Sequence, residues 1–438
     1  MSCELAARVT GWEAAQLAAY GAMLGLIPAA AHRLGAREAY LLSLCLTLTG
    51  FVLWLRPGAI WAALDQAAFL MAFILLLSLL QEAAVTSRAI SETGMWLTRQ
   101  PPGRRCLTLF GGTNVMGVLF NLGVVSLLAP LIRRGVEEAA PGDPLNPVRE
   151  RRQLNAMLRG FAWCVVWSPT AIAPLALLEL IPGVDRARWI ALGAGLAFAM
   201  LALTWLEDRV AWRHLAARRK KADRVPWPSV LGFFAICSVL LLLTLGAMLV
   251  TGGSVVLGLM LTCPLLSLGW LIGQNPATLG ARTQQILGPR LVISAPLAVT
   301  LACSGFLGRA GAALIPAEEV AGWIGLDTLP AYVFLSALSV AVAVFSQFGL
   351  SPIMMAVFFG SLLGALPILP ADPTLTALAI SCGWALSMTC SPFATVVLLT
   401  ARTTGHGGRE LTWGWNLPFT ALSLGVLAVV FWALTGGT

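Results

Sequence analysis

Apolar stretches long enough to span a membrane recur along the whole of this chain, and no other feature limits its fold as strongly. They lie near residues 14–31, 39–55, 59–83, 160–180, 188–206, 228–250, 254–273, 290–307, 374–400 and 414–436. A helix needs roughly 20 such residues to cross a bilayer, and in hydrocarbon it satisfies its own backbone. A β-barrel, the other closed solution, would alternate inward and outward residues over about 10 positions. These runs are instead continuous and rich in Leu and Ala. Charged residues make up 11% of the chain, against roughly 25% in a soluble domain, and the mean hydropathy is +0.83. The expected fold class is an all-α polytopic membrane protein of about 10 spans.

Two further stretches, 107–132 and 331–365, do not read as single crossings. The first is flanked by Arg on both sides: Arg88, Arg99, Arg104 and Arg105 before it, Arg133, Arg134, Arg149, Arg151 and Arg152 after it. A re-entrant hairpin returns the chain to its starting side and keeps both clusters together. The second is long enough for a hairpin and has acidic flanks, with Glu318, Glu319 and Asp327 before it and Asp372 after it. With both as hairpins and the N-terminus outside, the inner loops are 32–38, 86–105, 133–159, 207–227, 274–290 and 401–413. They hold 23 of the 28 Lys and Arg, leaving only Arg8, Arg56, Arg186, Arg188 and Arg309 outside. This bias sets the orientation, with both termini on the outer side of a bacterial inner membrane. Trp12, Trp54, Trp61, Trp189, Trp205, Trp227, Trp270 and Trp413 fall near span ends, where interface anchors are expected.

The net charge of +8 follows from these basic loops, and no nucleic-acid partner is expected. No short apolar leader with a cleavage site opens the chain, so no cleaved signal is expected. Cys45, Cys164, Cys237, Cys263, Cys303, Cys382 and Cys390 lie within apolar runs and read as small core residues rather than metal ligands. The sharpest break in composition is the basic segment 207–227. It divides the chain into 1–206 and 228–438, each reading as three spans, a hairpin, a broken span and a final span. Five crossings is an odd number, so the second half starts on the opposite side, as an inverted repeat requires.

The repeat also shows in the residues. Residues 160–175 align without gaps to 383–398, with six of 16 positions identical, including Ser168-Pro169 with Ser391-Pro392. The offset is 223 residues; at 226, Asn121-Leu122-Gly123 faces Gln347-Phe348-Gly349 near the centres of the hairpins. Pro inside a membrane helix removes a backbone hydrogen bond and frees a carbonyl. Irregular backbone at membrane depth is tolerated only within protein or along a wet cavity. Two broken helices and two hairpin tips are therefore expected to form one site from Asn121, Gly123, Ser168, Pro169, Thr170, Gln347, Gly349, Ser391 and Pro392. Half-helix N-termini suit an anion, and unwound carbonyls near Asn121, Ser168, Gln347 and Ser391 suit Na⁺ as a coupling ion. No other cofactor is expected.

The order of interfacial helix, hairpin and broken helix, with AVTSRAISETGMWLTRQ (84–100) and IPAEEVAGWIGL (315–326) as the paired interfacial segments, resembles the ion transporter superfamily and its divalent anion:sodium symporters. The resemblance covers roughly 59–206 and 284–436. It implies a secondary transporter with its site at the tips and breaks. The symporters carry Ser-Asn-Thr at each tip; here an amide and a Gly remain at each, without the hydroxyls.

Secondary active transport of a small anionic solute by alternating access is therefore the expected function, with the solute, the lipid bilayer and a second copy in a homodimer as partners. The alternative is a cation/proton antiporter, which needs a titratable carboxylate at depth. Asp65, Glu82 and Glu179 are the candidates, all near span ends, and a position such as that of Asp65 reads as snorkelling or capping. An intramembrane enzyme is not expected, because His32, His214 and His406 lie in or beside inner loops and no base flanks Ser168 or Ser391. No phosphate-binding glycine loop suggests a primary pump.

Overall fold

The computed structural model describes residues 1–85, 87–215, 224–274 and 279–436. Its regular elements there are all helical. In the first half they are α1 (Ser2–Thr10), α2 (Glu13–Ala29), α3 (Ala36–Leu55), α4 (Ala59–Val85), α5 (Arg88–Thr98), α6 (Pro102–Phe120), α7 (Gly123–Ala139), α8 (Asn146–Cys164), α9 (Ile172–Leu180) and α10 (Arg186–Ala211). In the second they are α11 (Trp227–Thr251), α12 (Val255–Gln274), α13 (Leu279–Gln285), the single turn α14 (Leu291–Ile293), α15 (Ala295–Leu314), α16 (Ala317–Ile324), α17 (Ala331–Phe345), α18 (Pro352–Gly364), α19 (Pro373–Cys390), α20 (Thr395–Thr404) and α21 (Leu417–Thr435). Nine helices among the described residues are long and apolar enough to cross a membrane. The chain is an all-α polytopic membrane protein.

Both hairpins form, as α6–α7 and α17–α18, and both Ser-Pro sites fall at helix breaks, between α8 and α9 and between α19 and α20. Short helices α5 and α16 precede the hairpins, within the expected segments 84–100 and 315–326. Several boundaries differ from the sequence reading. The helix expected from 160 starts at Asn146, because charged residues before 160 lie on helix faces that reach polar partners. The linker expected at 207–227 starts later, because α10 runs to Ala211; residues 216–223 of it, and 275–278 of the loop 274–290, lie outside the described residues. Trp189 is no interface anchor: it is buried, and its indole donates to the Val166 carbonyl at 2.9 Å. Trp12, Trp54, Trp61 and Trp227 are exposed near helix ends.

The helices gather into two compact units, one from Met1–Arg88 with Leu231–Pro316, the other from Ala89–Val230 with Ala317–Thr438. In the first, α4 and α15 run along each other, α3 packs on α15 and α12 packs on α4. Gly305 permits the central approach, since a Cβ there would lie 2.7 Å from Leu70 Cδ1 and 3.1 Å from the Gln66 carbonyl. Small residues at such crossings let membrane helices gain dispersion contact where no hydrophobic drive between them exists. Leu46, Phe51 and Trp54 on α3 and Leu242 and Leu249 on α11 are exposed, as apolar residues are where hydrocarbon is the solvent.

In the second unit, the first arm of each hairpin packs on the broken helix of its own half: α6 on α8 and α17 on α19. The second arm packs on that helix too and also reaches across to the other half. Helix α7 packs on α8 and α20, α18 packs on α19 and α9, and α8 meets α19. Arg133 of α7 donates to the Thr404 carbonyl at 2.7 Å, and a Cβ on Gly360 of α18 would lie 2.9 Å from Leu177 of α9.

Candidate functional site

The two breaks share one local structure. Ser168 Oγ accepts from the Thr170 N–H at 3.4 Å, and the Ser168 carbonyl accepts from the Ala171 N–H at 3.2 Å. At the second break, Ser391 Oγ accepts from the Phe393 N–H at 3.3 Å, and its carbonyl from the Ala394 N–H at 3.2 Å. In each case the hydroxyl turns the chain by offering the backbone a non-helical partner, while Pro removes the donor that a continuous helix would need.

Each break is tied to the hairpin tip of its own half. Thr170 Oγ1 donates to the Val118 carbonyl, in the last turn before the first tip, and lies 3.0 Å from Ser168 Oγ. Ser391 Oγ donates to the Ser346 carbonyl at 2.7 Å, at the second tip. Gln347 Nε2 donates to the Ala343 carbonyl at 3.1 Å and contacts Cys390 Sγ at 3.0 Å, while its Oε1 accepts from Trp413 Nε1 at 3.1 Å. Break and tip thus meet twice. No hydrogen bond among the described residues joins the first pair to the second; the two are brought together only through their helices, α8 on α19 and the crossed second arms.

The tips differ in how they bend. At the second, Gly349 takes φ 81°, with open space where its Cβ would be. At the first, Gly123 opens α7, and the turn rests on Asn121, with φ 48° and ψ −129°. Asn121 is the one non-glycine with positive φ among the described residues, in a region that glycine favours. It is 8% exposed. Backbone strain of this kind persists only where surrounding structure imposes it. Ser168 and Ser391 are fully enclosed, so their hydroxyls hold the breaks rather than face an open cavity. Pro169 is half-buried and Pro392 buried.

Four half-helices begin at these irregular points: α7 and α18 at the tips, α9 and α20 at the breaks. None has a side chain capping its first N–H groups. By contrast α10 and α19 open on Asp185 and Asp372, each accepting two backbone N–H groups. Uncapped N-termini carry partial positive charge; in α7 the Val124 and Val125 N–H groups bond the Asn121 and Leu122 carbonyls of the tip, both at 3.2 Å.

Several residues of this region were not evident from sequence. Asn114, on the first hairpin arm, donates to the Gly160 carbonyl at 3.0 Å and accepts from Trp167 Nε1 at 2.9 Å. An amide inside an apolar arm was the available signal. Arg159, counted only as a loop charge, is 3% exposed. It pairs with Glu207 and donates to Asn416 Oδ1 at 2.7 Å, and Asn416 donates on to Asn155 at 3.1 Å. Gly160 and Gly383, identical in the aligned segments, are the close crossings of α8 on α6 and α19 on α17. A Cβ would lie 2.5 Å from the Phe110 carbonyl oxygen in one and 2.7 Å from that of Ser339 in the other.

Two of the three carboxylates considered for proton coupling, Asp65 and Glu82, have partners in the first unit. Asp65 accepts from Gln16 Nε2 at 3.0 Å with Arg8 at 3.7 Å, a cross-helix role rather than a cap, and Glu82 pairs with Arg290 at 2.8 Å.

No family model matches the chain, and no curated protein matches it in sequence. Among solved structures it is similar to the YdaH transporter of Alcanivorax borkumensis, at 16% identity and a TM-score of 0.53 over 92% of this chain and 99% of that one. It is also similar to MtrF of Neisseria gonorrhoeae, described as one of a class of antimetabolite efflux pumps, at 15% identity and a TM-score of 0.47 over 83% and 80%. The likeness to YdaH extends over nearly both whole chains, so this protein shares the fold of a membrane transporter.

Proposed function

We propose that the protein is a secondary transporter that moves a small anionic solute across the bacterial inner membrane by alternating access. One observation carries this reading: four uncapped half-helix N-termini arise at two hairpin tips and two breaks that are hydrogen-bonded pairwise. Such ends offer N–H donors and positive potential to an anion without burying a formal charge. Asn121 and Gln347 would supply amides, and Gly349 a bare backbone. The carbonyls of Val118 and Ser346, now engaged by Thr170 and Ser391, are oxygen ligands of the kind Na⁺ takes, so Na⁺ is the co-substrate this site suits. The crossed arms support an inverted repeat of 1–206 and 228–438. The shared fold with YdaH supports transport as the activity. A proton antiporter is less well supported, because Asp65 and Glu82 are engaged by cross-helix partners within the first unit.

The test is a thermal-stability screen of the purified protein across small organic and inorganic anions, with and without Na⁺, followed by uptake into proteoliposomes. An anion should raise the melting temperature, Na⁺ should strengthen it, and Gln347→Ala should weaken it. Stabilisation by cations alone, or proton-driven transport abolished by Asp65→Asn or Glu82→Gln with expression intact, would overturn the proposal.

A further inference from the structure

A cavity of about 680 Å³ opens in the second unit, away from the tips, between the start of α6, the start of α8 and the end of α10. Its volume lies in the range of small-molecule sites. Five arginines line it, Arg105, Arg149, Arg152, Arg209 and Arg213, against two aspartates, Asp143 and Asp208. Arg149 pairs with Asp143 at 2.9 Å, and Arg152 takes both Asp208 oxygens at 2.8 and 2.7 Å. Arg105, Arg209 and Arg213 have no carboxylate within ion-pair distance among the described residues. Arg105 donates its Nε to the Gln100 carbonyl at 2.8 Å, which leaves its terminal amines for another acceptor. Burial, then the neighbouring Arg152 and Arg149, depress its pKa to about 10. Like charges are crowded here in a way that an anion would relieve.

We propose that this cavity binds a phosphate-bearing anion. Guanidinium groups grip phosphate through paired N–H donors, a geometry that Lys cannot reproduce. The cavity sits where the apolar part of α10 ends, with Trp205 and Trp212 in its wall. Trp at this level marks the headgroup layer, and basic pockets there hold anionic headgroups. Leu206 and Val210, next to the cavity on α10, are exposed and would meet acyl chains. A free phosphate ester offers the same group from solution. The site does not depend on the transport reading.

The experiment uses the full-length protein in a neutral detergent. Melting temperature is followed against phosphatidylglycerol, phosphatidylcholine, inorganic phosphate and glycerol 3-phosphate, with chloride matching ionic strength. Stabilisation by phosphatidylglycerol but not phosphatidylcholine identifies a headgroup; stabilisation by the soluble phosphates identifies a free ligand. In either case R209Q/R213Q, at exposed positions that leave the fold intact, should weaken binding at least tenfold. R105Q should weaken it further, and R186Q, exposed at the opposite end of α10 and outside the cavity, should leave it unchanged. No stabilisation beyond the chloride control, or equal binding by R209Q/R213Q, would show that these arginines are only solvated loop charges and overturn the proposal.

Discussion

Replacing Asn121 separates what its backbone does from what its amide does. Its φ of 48° with ψ −129° is a conformation that costs a side-chain-bearing residue about 1–3 kcal/mol. Asn121→Gly removes that strain at the cost of a more flexible unfolded chain, worth about 0.5–1 kcal/mol. Its stability should therefore equal or exceed the parent by up to about 2 kcal/mol. Asn121→Ala keeps a Cβ in the same region and gains nothing. Both lose the amide. If it touches a neutral or charged solute group, binding falls by about 1–3 kcal/mol, roughly fivefold to 150-fold. The assay is anion-dependent melting of both variants beside uptake into proteoliposomes. Asn121→Gly should be stable and deficient in binding. If it bound solute as well as the parent while Asn121→Ala did not, the amide would be no ligand, and Asn121 would serve the turn alone.

Gly160→Ala and Gly383→Ala should each destabilise by about 1–3 kcal/mol, the cost of overpacking, because a Cβ meets backbone at 2.5 and 2.7 Å; Gly195→Ala, with nothing within 4 Å, should stabilise by up to about 1 kcal/mol, as thermal unfolding would show. Arg159→Met should cost about 3–5 kcal/mol by leaving Glu207 half-buried and unpaired, and Arg159→Met/Glu207→Gln should recover much of it; no recovery would assign the loss to contact with Phe419, which Arg159 overlies at 4.1 Å. Single cysteines at 99–105 and 149–152 should label from the same, cytoplasmic side; labelling from opposite faces would remove the first hairpin.

The architecture was legible because hydrophobic length and charge bias are averages over many residues. Spans, hairpins and breaks survive an error of several positions, and Ser168-Pro169 and Ser391-Pro392 mark both breaks by the chemistry of proline itself. Finer features depend on partners far away in sequence. Each tip carries an amide and a glycine, yet the positive φ falls on Gly349 in one and on Asn121 in the other, a difference the shared pattern does not encode. Nothing local to either Ser-Pro pair tells that the Thr170 hydroxyl reaches the Val118 carbonyl or the Ser391 hydroxyl the Ser346 carbonyl. Arg159 and Asn416 lie 257 residues apart, a pairing that no local pattern encodes. The likeness of Gly160 to Gly383 was visible, but its reason, a backbone crossing, appears only when the hairpin arms are in place.

The crossed arms also bear on how the chain is made. Helix α7 finds its neighbour in α20, and Arg133 waits for a carbonyl 271 residues downstream. During synthesis the first hairpin therefore stands with one flank unmatched until almost the last helix has left the ribosome. Contacts of such long sequence separation form late and leave surfaces open to wrong partners meanwhile. A chain that stops before residue 395 lacks α20 and should be cleared as an orphan, however well its earlier helices insert. Supplying the missing portion as a second polypeptide should rescue it, since the two halves are joined at this point by side-by-side helices rather than by the covalent chain.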